Sequence, residues 1–128
     1  VNNWDLVDLS CYKILGEYLF KNQDKINILY EFTKSENFWI RRISIVTTMT
    51  FIRNNIFDCT IKISEILLND KHNLIHKAIG WMLREIRKRD KQILLDFLDK
   101  NHTKMARISI SYAIEKLDKE EKMKYKLR

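Results

Sequence analysis

Asn73-Leu74-Ile75-His76-Lys77-Ala78-Ile79-Gly80-Trp81-Met82-Leu83-Arg84-Glu85-Ile86-Arg87-Lys88-Arg89 is the stretch that decides the fold class. Ile75, Ala78, Ile79, Met82 and Ile86 recur at steps of three and four, which is the period of a helix and not of a strand. They make one apolar stripe, and Lys77, Trp81, Arg84 and Lys88 then share a largely polar face. A bulky indole among cations is a candidate contact residue. The plainer alternative packs Trp81 against a neighbouring helix pair and pairs Glu85 with Lys77 or Arg84.

The same period runs outward in both directions and predicts about seven helices. Upstream, one spans Trp4 to Phe20 with an interruption near Gly16, and Asp24 opens a second containing Ile26, Ile28, Leu29 and Phe32. Ser35 and Glu36 start a long helix over 36–53, and Asn54-Asn55 is a turn that tolerates left-handed backbone. Phe57, Ile61, Ile63, Leu67 and Leu68 resume the pattern until Asn69 and Asp70 stop it. Downstream, Lys91 to Leu98 pairs with the 73–89 helix, Thr103 to Leu117 makes the last one, and residues 118–128 read as a charged tail that frays. Without a proline and with only two glycines, little forces tight hairpins. Residues 1–128 are thus expected to form a single all-α domain. Helices paired by short turns fit a HEAT-like solenoid of antiparallel pairs, with a concave basic face, better than a four-helix bundle.

A 45% hydrophobic content over 128 residues supplies a core without metals or disulfides. Cys11 and Cys59 sit inside apolar helical patterns with no CxxC spacing, and read as reduced thiols of a cytoplasmic protein. Charged side chains interrupt every apolar run well short of the roughly 20 residues of a membrane span. The net charge of +7 is uneven. Residues 1–40 hold four Lys and six acids, net −2; residues 41–90 hold ten basic and five acidic side chains, net +5; residues 91–128 hold ten and six, net +4. Such an excess favours a polyanion through phosphate neutralisation and counterion release.

Three separated blocks carry a sharper signal. Asn3-Trp4-Asp5-Leu6-Val7-Asp8 sets Trp4 and Asp8 four apart on one helix face. Asn37-Phe38-Trp39-Ile40-Arg41-Arg42 is the second, and Ile75 to Glu85 the third. In this order they resemble the W-D-x-V-D, N-x-W-x-x-R and K-A-x-G-W-x-L-R-E elements of the AlkD-like DNA alkylation repair glycosylases. The resemblance covers nearly the whole chain, weakens after about Leu117, and leaves out that family's amino-terminal helices. It therefore implies a carboxy-terminal, active-site-bearing part with something preceding Val1. Carried over by position, it implies that Trp4 and Trp81 flank the sugar of the damaged nucleotide, that Asp8 is the catalytic carboxylate, and that Arg42, or its neighbour Arg41, contacts a phosphate. Lys77, Arg84, Lys88 and Arg107 are the further DNA-binding candidates. The implied partner is duplex DNA with alkylated purines, met in the cytoplasm at the nucleoid, and no cofactor or metal is implied.

Those residue types suit the chemistry. Alkylation at N3 or N7 gives a purine positive charge, so the glycosidic bond is weakened and charge moves to the sugar as it breaks. A carboxylate stabilises that centre, and indole faces attract it. Read singly, the same residues have ordinary roles: Trp4 in a core, Asp8 as a helix-start charge, Arg42 as a solvated base, Arg107 as a solvated helix start. Trp39 aligns with Ile43 and Val46 and reads as core. His72 and His76 have the spacing of a zinc helix but lack its glutamate, and no metal site is expected. The leading expectation is a glycosylase; the alternatives are a non-catalytic DNA-binding module and a protein-binding HEAT-repeat scaffold.

Overall fold

Helical periodicity becomes helix along the chain in the computed structural model, which describes residues 3–126 and the side chains of residues 12–126. The order is α1 (Asn3–Lys21), a 3-10 turn (Gln23–Lys25), α2 (Asn27–Phe32), α3 (Phe38–Val46), α4 (Met49–Arg53), α5 (Asp58–Ile66), α6 (Asn73–Arg87), α7 (Lys91–Asn101), α8 (Arg107–Ala113) and α9 (Lys119–Lys126), with no strand among the described residues. The chain is all-α, and its packed helices are consistent with a helical repeat. None of these helices is long and apolar enough to cross a membrane.

Side-chain caps set three of the helix starts. Asn37 Oδ1 accepts from the Trp39 amide at 2.9 Å, His72 Nδ1 from the Leu74 amide at 3.2 Å, and Asp90 Oδ1 from the Gln92 amide at 3.1 Å. The third helix therefore begins at Phe38 rather than 36, with Ser35 Oγ accepting from the Asn37 amide just before it. The expected helix over 36–53 is also divided at Thr47-Thr48. Ser44 Oγ donates to the Arg41 carbonyl at 2.5 Å and Thr48 Oγ1 to the Ile45 carbonyl at 2.6 Å, and hydroxyls turned back onto their own helix bend it. Gly16 does not interrupt α1. A Cβ there would collide with Thr50 Oγ1 and lie 3.3 Å from the Thr47 carbonyl, so the glycine admits α1 against the bend.

Asn55 takes φ 61° and closes α4 in a Schellman turn: the Ile56 amide reaches the Phe51 carbonyl and the Asn55 amide the Ile52 carbonyl, each at 2.9 Å. Further on, α7 runs past Leu98 to Asn101, and the helix expected from Thr103 contracts to Arg107–Ala113. Where a fraying tail is expected, α9 forms. Asp118 Oδ1 accepts from the Glu121 amide at 2.9 Å while Glu121 reaches back to the Asp118 amide, a capping box. Buried Tyr125 then donates to Asp99 at 2.7 Å and meets His102 edge-on.

The core is organised on α6, which packs against α3, α7 and α8. The predicted stripe of Ile75, Ala78, Ile79, Met82 and Ile86 is buried, joined by Leu83 and His76. Each fully buried aliphatic side chain contributes about 1.5–3 kcal/mol. Helices α6 and α8 run in the same direction. Ser109 Oγ donates to the His76 carbonyl at 2.7 Å, a Cβ on Gly80 would meet Tyr112 and the Ser109 carbonyl at 2.5 and 2.6 Å, and Arg84 pairs with Glu115. At Gly80 the two helices touch backbone to side-chain stem, with no room for a methyl group.

The start of α6 is fastened to α3 by an ion pair. Arg41 Nε donates to Asp70 Oδ2 at 2.7 Å, and the two side chains are 18% and 6% exposed. Arg41 Nη1 also donates to the carbonyls of Ser35 and Glu36, at 2.9 and 3.1 Å. Asp70 accepts from the His72 amide at 2.9 Å, and its carbonyl accepts from His76 Nε2 at 2.5 Å. Burial alone would raise the Asp70 carboxyl, but the Arg41 and His72 hydrogen bonds, with the charges of Arg41 and His76, hold it below its ordinary 3.8.

Two measurements check this architecture. Gly80→Ala should lower the unfolding free energy by about 1–3 kcal/mol in urea titrations, because the Ser109 carbonyl cannot rotate away. Because the folded value of Asp70 is depressed, its stabilisation is present above the ordinary carboxylate range and is lost as pH falls through the lowered value. Asp70→Asn should therefore cost about 2 kcal/mol at neutral pH. Its gap to wild type should begin to narrow as pH falls below about 4, and an equal gap at pH 3 and pH 7 would contradict the linkage.

Candidate functional site

Helix α6 offers one side that the core does not use. Lys77, Trp81 and Arg84 are half-buried and Lys88 is exposed, at the spacing of a single face. Trp81 is half-buried and packs against the core, and Glu85 pairs with Lys88 rather than with Lys77 or Arg84. The cations around Trp81 differ in what they do. Arg84 pairs with Glu115 beyond α8, and Lys88 with Glu85 at 3.0 Å. Lys77 makes no ion pair among the described residues.

The two adjacent arginines of α3 have separate roles. Arg41 is engaged by Asp70 and the Ser35 and Glu36 carbonyls, so it joins helices. A guanidinium in a bidentate, largely buried ion pair has few donors left to offer. Arg42 points elsewhere, and its Nη1 donates to the Leu74 carbonyl at 2.6 Å, in the first turn of α6. Arg107 is exposed at the start of α8 and makes no ion pair among the described residues. Trp4 and Asp8 belong to α1, which lies against α3 and α4. Their side chains fall outside the described ones. Helix α1 is thus neighbour to the helix of Arg42, which is neighbour to that of Trp81, which is neighbour to that of Arg107.

The histidines serve the fold. His72 caps α6 and stacks on Phe38 with ring centroids 3.8 Å apart, and His76 is buried against the Asp70 carbonyl. No group of three or more His, Cys, Asp or Glu side chains among the described residues could hold a metal ion. Cys59 is buried, and that burial pushes its thiol up to about 11, which keeps it protonated and unreactive. Trp39 is half-buried beside Phe38, with ring centroids 4.4 Å apart. Sequence reasoning missed Asp70 as the partner of Arg41. A carboxylate two residues before the capping His72 was a local signal for the turn, but the 29-residue separation from Arg41 was not readable.

A search of curated proteins found no match to the chain. The profile of the family described as DNA alkylation repair enzyme matches residues 1–117, which takes in every helix except α9. That match spans α1, α3 and α6 with the Trp4, Asp8, Arg42 and Trp81 positions they carry, and on it the chain belongs to the family of DNA alkylation repair enzymes.

Proposed function

We propose that this protein hydrolyses the N-glycosidic bond of N3- or N7-alkylated purines in duplex DNA. The observation that carries the reading is the separation of Arg41 from Arg42. The first is locked into Asp70, and the second is set at the first turn of the helix that displays Trp81 beside Lys77. Both belong to motif blocks inside the matched residues.

In this reading the bond between C1′ of the sugar and the purine nitrogen breaks, and its electron pair leaves with the base, neutralising the cationic ring. Water adds to C1′ and gives up a proton, leaving an abasic sugar and a free alkylpurine. Asp8 stabilises the cationic sugar and orients that water. The indoles of Trp4 and Trp81 flank the sugar, where their faces attract positive charge. Arg42 holds a backbone phosphate. Arg84 and Lys88, already paired with Glu115 and Glu85, supply field rather than direct contact. Because the lesion is itself labile, selectivity comes from the leaving group rather than from a base-reading pocket.

The full chain incubated with methylated duplex DNA should release free alkylbase, detected chromatographically. Asp8→Asn should reduce the rate by about 100-fold, the loss of one stabilising charge at the reacting centre. Trp81→Ala should reduce it by about tenfold, corresponding to one cation–π contact. Wild-type protein that binds the duplex and releases no base would refute the glycosylase reading and leave a DNA-binding module.

A further inference from the structure

We propose that α9 adds a phosphate-binding station to the DNA interface, in which Arg107 and Lys126 together hold one stretch of duplex backbone. The inference rests on the DNA reading above and extends it to a part of the chain outside the residues shared with the family.

Between α8 and α9 lies a groove of about 290 Å3, lined by Arg107, Ile110, Ser111 and Ile114 on one side and by Tyr125 and Lys126 on the other. Its chemistry is one-sided: among the described residues the lining has two cations, the hydroxyls of Ser111 and Tyr125, an apolar floor and no carboxylate, the Tyr125 hydroxyl being given to Asp99. The grooves between α5 and α7 differ, because Glu65 lines them and pairs with Lys100 at 3.1 Å. Two lysines beside the groove are similarly engaged, Lys91 with Glu121 at 2.8 Å and Lys124 with Asp99 at 3.1 Å, while Lys119 and Lys122 of α9 make no such pair among the described residues and do not line the groove. Arg107 and Lys126 make no such pair among the described residues. Two unneutralised cations backed by buried Ile110, Ile114 and Tyr125 present charge against a low-dielectric wall, which strengthens attraction to an anion. Ser111 adds a neutral donor of the kind that commonly meets phosphate oxygens.

The groove is held in shape before any ligand arrives. Tyr125 is fixed by its bond to Asp99 and its edge contact with His102, and the Asp118–Glu121 capping box sets the start of α9. Its position also continues the α6 face. Ser109 bonds to the His76 carbonyl, so Arg107, two residues earlier, lies within about one helical turn of the level of Lys77. Lys77 and Arg107 thus lie on the packed pair α6 and α8, and Lys126 lines the groove shared with Arg107. Packed helices such as α6 and α8 sit about 8–10 Å apart, which corresponds to two or three nucleotides of one strand at roughly 3.4 Å per nucleotide. A DNA backbone fits that spacing and charge; an acidic peptide would not call for the continuation onto α6.

The test is binding of a short fluorescein-labelled undamaged duplex to the full chain, followed by anisotropy over a range of salt. Arg107→Ala and Lys126→Ala should each lower the slope of log affinity against log salt by about one, the signature of one lost phosphate contact. Lys126→Arg should restore it, and Lys100→Ala, whose partner is Glu65, should leave it unchanged. Unchanged slopes in both alanine variants would overturn the proposal, as would an equal loss in Lys100→Ala. Capture of a polyglutamate peptide through Arg107 and Lys126 without duplex binding would also overturn it, in favour of a protein partner. Base release by wild type, measured in parallel, separates the two readings. Release with unchanged slopes defeats only the α9 station, and shifted slopes without release defeat only the glycosylase.

Discussion

The ion pair between Arg41 and Asp70 joins two parts of the chain that local sequence leaves independent. Asp70 is not simply a partner for a charge. The same short segment accepts from the His72 amide through its carboxylate and from the His76 ring through its carbonyl, so the turn that starts α6 is built around it. Fixing that turn fixes the rotation of α6 about its axis, and the rotation decides which side chains face outward. Breaking such a pair leaves an uncompensated charge in a nearly buried position, and that is costlier than forming the pair is favourable. The orientation of Trp81 is therefore set some three turns away, at a residue that contributes nothing to the chemistry.

Adjacent arginines in one motif block illustrate how the site uses identical side chains differently. Arg41 and Arg42 are about 100° apart on their helix, enough to send one toward the Asp70 turn and the other toward the Leu74 carbonyl. Composition and motif cannot separate them, because the difference is made by what α5, α6 and the connecting turn bring alongside. The pairing of Arg84 with Glu115 and Lys88 with Glu85 works in the same direction. It neutralises two of the cations near Trp81, while Lys77 and Arg107 make no ion pair among the described residues.

Much of the fold was legible because periodicity is local. The buried stripe of α6 and the left-handed turn at Asn55 arise from patterns within a few residues, whereas the packing partners of α1 and α6 do not. The features that escaped were either tertiary or a competing local bond. The bend at Thr47-Thr48 arises from hydroxyls that satisfy Arg41 and Ile45 carbonyls, and Gly16 reads as a break until its neighbour across the core, Thr50, is known. The tail is the instructive case. Asp118-Lys119-Glu120-Glu121 contains a capping box in plain view, but the high charge of the segment masked it, and the anchoring role of Tyr125 depends on Asp99 in another helix. The candidate site was legible as motif blocks, and the helices bearing them are neighbours, while the division of labour among its cations required the packing.

Gly80 has a consequence for how this fold tolerates change. Most helix pairs keep their distance through interlocking side chains, so each substitution in the interface shifts the spacing slightly and later substitutions compensate. Here α6 and α8 meet at the Gly80 backbone, where Ser109 and Tyr112 leave no intervening side chain to vary. The spacing is thereby insulated from drift in the surrounding core. Leu83, Ile86 and Ile110 are free to exchange among aliphatic shapes over evolutionary time or in a redesign, while Trp81, the residue next along the chain, keeps its place.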